Sequence, residues 1–222
     1  MKIISAIMIL LFTSPKVFSD SFEEHIVFHG ETLNNLSLED YADKWWQWTY
    51  IMPKSLSPVR DQTGKNCHIG QSGKVWFLAG GYGNSFITRS CEIPEGKYIF
   101  FPVINNVYYT RTEGRITCES AKKLAAVQND DLIDITIELD SPKSSNPADS
   151  RLSSNECFDL LGAVPRNSNP PKWYPAASDG YWIMLKPLSK GKHELKFNAA
   201  YVKSEDGRRD MVQDIQYHLT IK

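Results

Sequence analysis

Three residues of this sequence are candidates for the acids and bases of a hydrolase, namely His193, Glu92 and Asp179. His193 has the strand parity of Leu195, so its imidazole should face the core or a cleft. Glu92 and Asp179 are carboxylates, and a pair of carboxylates cleaves glycosidic bonds when the fold holds the two groups at a suitable separation. His193, Asp179 and Glu92 are therefore candidate catalytic residues of a hydrolase, and simple packing of the histidine is the alternative.

Arg89 interrupts an otherwise apolar strand pattern. It stands between Ile87 and Cys91 with the same parity, so its guanidinium should point inward. A buried charge is costly unless it is paired, and Asp61 or Asp179 can supply the carboxylate. Either this pair is a structural salt bridge that fixes the turn at Asp61, or the guanidinium binds an anionic or sugar ligand. Arg89 and Asp61 are thus candidate ligand-binding residues.

Aromatic side chains in loops and at strand ends indicate a binding surface, because such rings stack on sugars and anchor protein partners. Trp173 and Tyr174 are flanked by prolines and should form an exposed platform. Trp45, Trp46 and Trp48 cannot all lie on one face of a helix, so we expect Trp46 at the margin or in a groove. Trp173, Tyr174 and Trp46 are candidate ligand-binding residues, and packing of the same rings is the alternative.

Other kinds of chemistry have weak sequence signals. There is no Gly-x-Ser-x-Gly motif for a serine hydrolase and no Gly-rich phosphate loop between a strand and a helix, so no cofactor is predicted. His25 and His29 are four residues apart, but the apolar residues between them favour an extended segment, and no metal site is predicted.

Composition argues against a nucleic-acid partner. The chain has 25 basic and 26 acidic residues, with no long run of lysine or arginine that would follow a phosphate backbone. A length of 222 residues suits one sizeable domain.

The N-terminus predicts export. Lys2 precedes the apolar run Ile3–Phe12, and small residues lead to a cleavage site after Ser19, as in a secretory signal peptide. The apolar run is about half of the ~20 residues needed to cross a bilayer, so a permanent membrane span is not predicted. We expect residues 20–222 to form a single secreted or periplasmic domain.

Four cysteines in an exported chain predict two disulfides. Three pairings are possible. We favour Cys67 with Cys91 and Cys118 with Cys157, because each pair flanks its own block of strand signals and sequential pairing needs no threading.

The secondary-structure signals predict a mostly β fold with one amphipathic helix. Ser37 and the acidic residues after it are typical of a helix N-terminus, and Pro53 ends the helix, which we place over residues 38–51. A second, short helix is predicted between Thr117 and Val127. The segment from Ser141 to Trp173 is rich in serine, asparagine and proline and is interpreted as a long surface excursion.

The strand signals favour an antiparallel β-sandwich or jelly roll. The run Tyr98–Ile104 is apolar at every position, so we expect a strand covered on both faces. The predicted strands, with Gly and Pro turns between them, are Lys74–Ala79, Phe86–Cys91, Lys97–Ile104, Leu132–Leu139, Gly180–Leu185, His193–Val202 and Met211–Ile221.

Several sequence patterns resemble those of a group of secreted bacterial hypothetical proteins. They are the Trp45–Trp48 motif and the segments Gln71–Gly80, Arg89–Lys97, Ser178–Tyr181 and Lys186–His193. The resemblance implies a common exported fold and brings no activity, substrate or catalytic residue with it. Our first functional hypothesis is a module that binds a glycan or a surface partner. A hydrolase and a structural or host-directed secreted protein are the alternatives.

Overall fold

The computed structural model describes residues 21–111, 115–127, 132–141, 143–145, 150–163, 173–201 and 211–222. The predicted signal peptide lies outside these residues. In the described part of the chain, no helix is long and apolar enough to cross a membrane.

The helix predicted from the Ser37 signal is confirmed as α1, Leu38–Ile51. The Ser37 side chain accepts a hydrogen bond from the Asp40 backbone, and the Asp40 carboxylate accepts one from the Ser37 backbone. This reciprocal pair satisfies two amides that the first turn leaves without helical partners. The helix that we placed between Thr117 and Val127 is α2, Cys118–Ala126.

The described residues form nine strands, and the predicted mostly β fold is confirmed. Alternating burial along the second strand follows the period of two that a half-buried strand requires. The strands are β1 Val75–Phe77, β2 Ser85–Ile93, β3 Tyr98–Tyr109, β4 Leu132–Leu139, β5 Lys143–Ser145, β6 Arg151–Ser153, β7 Ala176–Leu185, β8 Gly191–Tyr201 and β9 Val212–Ile221.

The strands form two sheets, one of four strands in the order β1-β3-β7-β6 and one of five in the order β2-β9-β8-β4-β5. Most neighbours are antiparallel, but β1 pairs with β3 and β2 pairs with β9 in parallel. The inner faces of both sheets share one apolar core, in which Phe101 of β3 stacks on Phe197 of β8. This packing is that of a β-sandwich.

Helix α1 covers the other face of the four-stranded sheet. Trp45 of α1 meets Trp182 of β7 edge-on, and Trp182 stacks on Phe100 of β3 with ring centroids 5.3 Å apart. Phe100 and Phe101 are both fully buried, on opposite faces of β3. The expectation that this strand is covered on both sides is therefore confirmed, and the helix is one of its two covers.

One sequence interpretation was wrong. The segment after Ser141 is not simply a surface excursion, because β5 extends the five-stranded sheet and β6 extends the four-stranded sheet. Leu152 and Leu160 in this segment are buried. Each of the two strands has only three residues, which is too short for an alternating pattern to be visible in the sequence.

Both predicted disulfides are present, Cys67–Cys91 and Cys118–Cys157. The first ties the loop before β1 to the edge strand β2, and the second ties α2 to the segment after β6. Stable disulfides are typical of proteins outside the cytoplasm.

Candidate ligand-binding site

A cleft of about 640 Å³ lies across the outer face of the five-stranded sheet, and we call it the outer cleft. It brings together two of the candidate catalytic residues, His193 and Glu92. Glu92, however, forms an ion pair with Lys222. Glu194, which also lines the cleft, pairs with Lys196. Each of these two carboxylates of the outer cleft is therefore paired with the ammonium group of a lysine.

The imidazole of His193 is engaged at both nitrogens. Nδ1 lies 2.5 Å from a carboxylate oxygen of Asp140, and Nε2 lies 2.8 Å from the carbonyl oxygen of Ser189. Both ring nitrogens are therefore within hydrogen-bond distance of protein oxygens, and neither is left open towards the cleft.

The third catalytic candidate lies elsewhere. Asp179 is 2% exposed and accepts hydrogen bonds from Arg151 Nε and the Ser153 hydroxyl, both on β6. It does not line the outer cleft. The structure thus brings together His193 and Glu92 but not Asp179, because strand parity does not specify which sheet a residue belongs to.

The inward orientation predicted for Arg89 is confirmed, since the residue is 1% exposed. Its predicted carboxylate partner is wrong. The guanidinium donates to three backbone carbonyl oxygens, those of Asp61 at 2.7 Å, Ala79 at 2.7 Å and Val59 at 3.3 Å. It also donates to the Tyr217 hydroxyl at 3.0 Å, and Tyr217 in turn bonds Ala79. Arg89 thus fastens two loops to the sheet and has no open face for a ligand.

Asp61 is a buried turn residue. Its carboxylate accepts hydrogen bonds from the Thr63 backbone and hydroxyl and from the Asn66 backbone. Burial alone would raise the pKa of Asp61, but these hydrogen bonds, with the positive charge of Arg89, lower it overall. Asp61 therefore fixes its own turn with its side chain and binds Arg89 through its carbonyl oxygen.

The predicted aromatic platform is only partly open. Tyr174 is 42% exposed, as expected. Trp173 is half-buried because Tyr109 stacks on it with the centroids 5.2 Å apart, and the guanidinium of Arg111 lies over its ring. Trp173 is thus not the exposed ring that its proline neighbours predict.

Of the two positions that we expected for Trp46, the margin and a groove, the structure supports the second. The side chain is 7% exposed, so its expected position at the margin of the helix packing is wrong. It nevertheless lines a pocket of about 170 Å³, which we call the tryptophan pocket. Helix α1, the loop between β1 and β2, and the second half of β3 form its walls, with lining residues that include Trp45, Trp46, Tyr50, Tyr82, Asn105 and Asn106.

The chemistry of the tryptophan pocket is neutral and donor-rich. Of the described residues that line it, none carries a formal charge. The indole Nε1 of Trp46 and the amide Nδ2 of Asn105 are buried and have no hydrogen-bond partner in the described structure. Only four buried side-chain polar atoms of the described residues lack a partner, and two of the four belong to residues that line this pocket. Such groups are rare in folded proteins, and each calls for an explanation such as strain, a catalytic role or a bound water or ion.

A scan against protein-family models, a search of curated proteins and a search of solved structures give no match to this chain. Function must therefore be argued from the site itself.

The loop between β1 and β2, which carries Tyr82, is fixed by hydrogen bonds to the side chain of Gln213 on β9. The buried side chain of Gln213 accepts a hydrogen bond from the Gly81 backbone at 2.7 Å and donates one to the Gly83 carbonyl at 2.7 Å. A Cβ atom at Gly81 would lie 2.0 Å from the Ser85 hydroxyl oxygen, so only glycine fits there. Tyr82 is one of the loop aromatics that the sequence indicates as a binding surface, but its place beside Trp46 is visible only in the folded chain.

Asn105 was missed by the sequence analysis. It stands opposite Gly180 on β7, where an added Cβ would come within 2.6 Å of the Asn105 Cα and Cβ atoms. The available signal was the pair of asparagines at the end of the apolar run of β3. In a strand covered on both faces, a buried amide is costly unless it has a hydrogen-bond partner.

A half-buried carboxylate, that of Asp43, lies on the same helix. Asp43 accepts hydrogen bonds from the hydroxyls of Ser154 at 2.6 Å and Ser178 at 3.1 Å. Burial, helped by the nearby negative charges of Asp40 and Glu39, raises the pKa of the Asp43 carboxyl to about 7, although the two serine hydroxyls act to lower it. Metal binding is not indicated here, because the described residues contain no group of three or more His, Cys, Asp and Glu side chains that could hold an ion.

The unpartnered indole predicts a difference between neighbouring tryptophans. Trp45 donates from Nε1 to the Leu78 carbonyl at 2.8 Å, whereas Trp46 has no such partner. Trp45→Phe should therefore lower the free energy of unfolding by about 1–3 kcal/mol more than Trp46→Phe, because it alone leaves a carbonyl unpaired. Urea denaturation of both variants measures this difference, and equal losses would contradict the assignment.

Proposed function

We propose that this protein is an exported glycan-binding module that holds one sugar ring in the tryptophan pocket. The observation that carries the proposal is the pairing, in one uncharged pocket, of aromatic rings with two buried N–H groups that lack partners. Small-molecule sites combine apolar and aromatic walls with a few placed polar groups. A sugar ring matches such walls, because its C–H faces stack on rings and its hydroxyls accept from N–H donors.

The size of the pocket limits the ligand. Pockets that enclose a drug-sized ligand have about 300–1,000 Å³. The tryptophan pocket has about 170 Å³, which suits one ring rather than a whole oligosaccharide. The two N–H groups are covered, so ligand binding also requires small side-chain rotations, which are common at binding sites. The terminal torsion of Asn105 is soft enough for such a rotation.

Export is supported by two features. The N-terminal residues have the order of a secretory signal peptide, and all four cysteines form disulfides. An exported module would meet polysaccharides of the cell envelope or the surrounding medium.

A hydrolase that uses His193 and carboxylates receives less support. Glu92 and His193 share the outer cleft, but Glu92 is paired with Lys222 and both nitrogens of His193 are engaged. Asp179 lies apart from both. We therefore place the ligand in the tryptophan pocket and treat turnover of a bound sugar as a second assay.

The proposal predicts a ligand-dependent rise in thermal stability of the oxidised protein. A sugar present at a hundred times its Kd should raise the unfolding midpoint by roughly 5–10 °C, because it binds only the native state. Trp46→Phe should abolish this rise, since it removes the N–H and keeps a ring. Differential scanning fluorimetry over a panel of mono- and oligosaccharides measures the effect.

Trp182→Phe is the matched control. Trp182 also has a buried Nε1 without a partner and also meets Trp45 edge-on, but it does not line the pocket. It should keep the full response to the sugar. A rise that survives in Trp46→Phe, or the absence of any rise with a folded protein over the whole panel, would overturn the proposed site.

A further inference from the structure

A second pocket adjoins the tryptophan pocket. It has a volume of about 410 Å³ and shares Val59 and Tyr82 with the tryptophan pocket as lining residues. We call it the Arg60 pocket. Tyr82, which is 50% exposed, thus lies between the tryptophan pocket and the Arg60 pocket. A ligand longer than one ring can extend from the tryptophan pocket over Tyr82 into the Arg60 pocket.

The Arg60 pocket differs from its neighbour in charge. Arg60 is exposed and is the one charged residue in the described lining of this pocket. Its guanidinium carbon lies 5.1 Å from the centroid of the Tyr82 ring, which keeps the charge next to the partition. None of the described carboxylates forms an ion pair with Arg60, and the adjacent Asp61 carboxylate is occupied by Thr63 and Asn66. An arginine in this position selects for an anionic group.

Exposed aromatic rings continue across this surface. Phe86 on β2 lines the Arg60 pocket and is 71% exposed, the most exposed of the large apolar side chains described. With Tyr82 it provides two rings along the path that leads out of the tryptophan pocket. Rings of this kind offer a stacking surface for successive units of a ligand.

The walls of the Arg60 pocket are held in place before any ligand binds. The buried guanidinium of Arg89 bonds the carbonyls of Val59 and Asp61, the two residues on either side of Arg60. It also bonds the carbonyl of Ala79, from which the chain leads to Tyr82. A preformed site loses less conformational entropy on binding than a loop that must first become ordered.

We propose that the ligand is an acidic oligosaccharide. One neutral ring occupies the tryptophan pocket, and the next unit extends over Tyr82 and places a carboxylate or sulfate group against Arg60. This inference rests on the proposed function and adds to it the chemical class of the ligand and a second subsite.

The test compares acidic glycans with matched neutral ones. Uronic-acid oligosaccharides and their methyl esters differ only in charge, and sialylated and sulfated oligosaccharides beside their uncharged parents extend the comparison. Isothermal titration should show an acidic glycan that binds at least about tenfold more tightly than its neutral counterpart, with a preference that weakens as ionic strength rises.

The variants separate charge at the site from overall charge. Arg60→Gln should remove the preference for the acidic glycan. Lys54→Gln removes the same charge from the same connecting segment at an exposed residue that lines neither pocket, so the preference should remain. Trp46→Phe should weaken binding of the acidic and the neutral glycan alike.

The remaining outcomes contradict the acidic subsite, the glycan as occupant or the proposed function. Glycan binding with no acidic preference, or a preference that Arg60→Gln leaves unchanged, overturns the acidic subsite and leaves the proposed function in place. Tight binding of tetraglutamate in place of any sugar overturns a glycan as the occupant. Absence of binding to every glycan overturns the proposed function itself.

Discussion

Replacing Arg89 with methionine is expected to lower the free energy of unfolding by about 3 kcal/mol or more, because each buried carbonyl left without a donor costs about 1–3 kcal/mol. The side chain is fully enclosed, and its guanidinium bonds the carbonyls of Val59, Asp61 and Ala79. Methionine fills a similar volume but donates no hydrogen bond. Urea denaturation followed by tryptophan fluorescence measures the loss.

The same substitution should also disturb the binding site. The three carbonyls belong to the two loops that carry Arg60 and Tyr82, so Arg89 positions both side walls without touching a ligand. Arg60→Gln is the control for loss of positive charge, and because Arg60 is exposed it should leave the unfolding free energy within about 0.5 kcal/mol of the original. An Arg89→Met variant as stable as the original protein would show that the carbonyls find other partners.

Arg89 illustrates what strand periodicity can and cannot predict. The alternation of β2 correctly predicted that its side chain points inward. The sequence could not predict its partners, because they are backbone carbonyls of loops, and every residue of the chain has such a group. A search for a carboxylate partner therefore selected Asp61 for its side chain, whereas the contact uses its carbonyl oxygen.

The elements that could be predicted are those with strong local signals. The start of α1 follows from the cap at Ser37, the strands β4 and β9 follow from their alternation, and the disulfides follow from the order of strand blocks. The sheet order could not be predicted. The parallel pairing of β2 with β9 joins residues more than a hundred positions apart, and no local pattern encodes it.

The candidate site was predicted only at Trp46. Crowding of three tryptophans on α1 identified Trp46 as the ring that does not fit the helix face, and this ring does line the pocket. The other walls come from distant segments that contribute Tyr82 and Asn105. That a buried N–H group has no partner is a property of the folded chain and has no counterpart in the sequence.

Asp43→Asn is expected to change how stability depends on pH. The carboxyl has an ordinary pKa of 3.8, which burial raises to about 7 in the folded protein. The unfolded chain therefore loses this proton near pH 4, while the folded chain retains it until about pH 7. Within that window the folded state binds more protons, so the contribution of Asp43 to stability falls as pH rises. At 1.36 kcal/mol per pKa unit, the loss amounts to up to about 4 kcal/mol.

Asparagine keeps the oxygen that accepts from Ser154 and Ser178 and carries no charge at any pH. The variant should therefore match the original protein near pH 4 and exceed it in unfolding free energy by up to about 4 kcal/mol at pH 8. Urea denaturation at closely spaced pH values measures the difference in unfolding free energy between the two proteins. The carboxyls of Asp61 and Glu39 have lowered pKa values, but both proteins contain them, so their effects cancel in this difference. Asp214→Asn, which removes the same carboxylate from an exposed position of β9, is the matched control. If the Asp43 difference were constant from pH 4 to 8, the carboxyl would be ionised in the folded protein throughout, and the two serine hydroxyls would outweigh its burial.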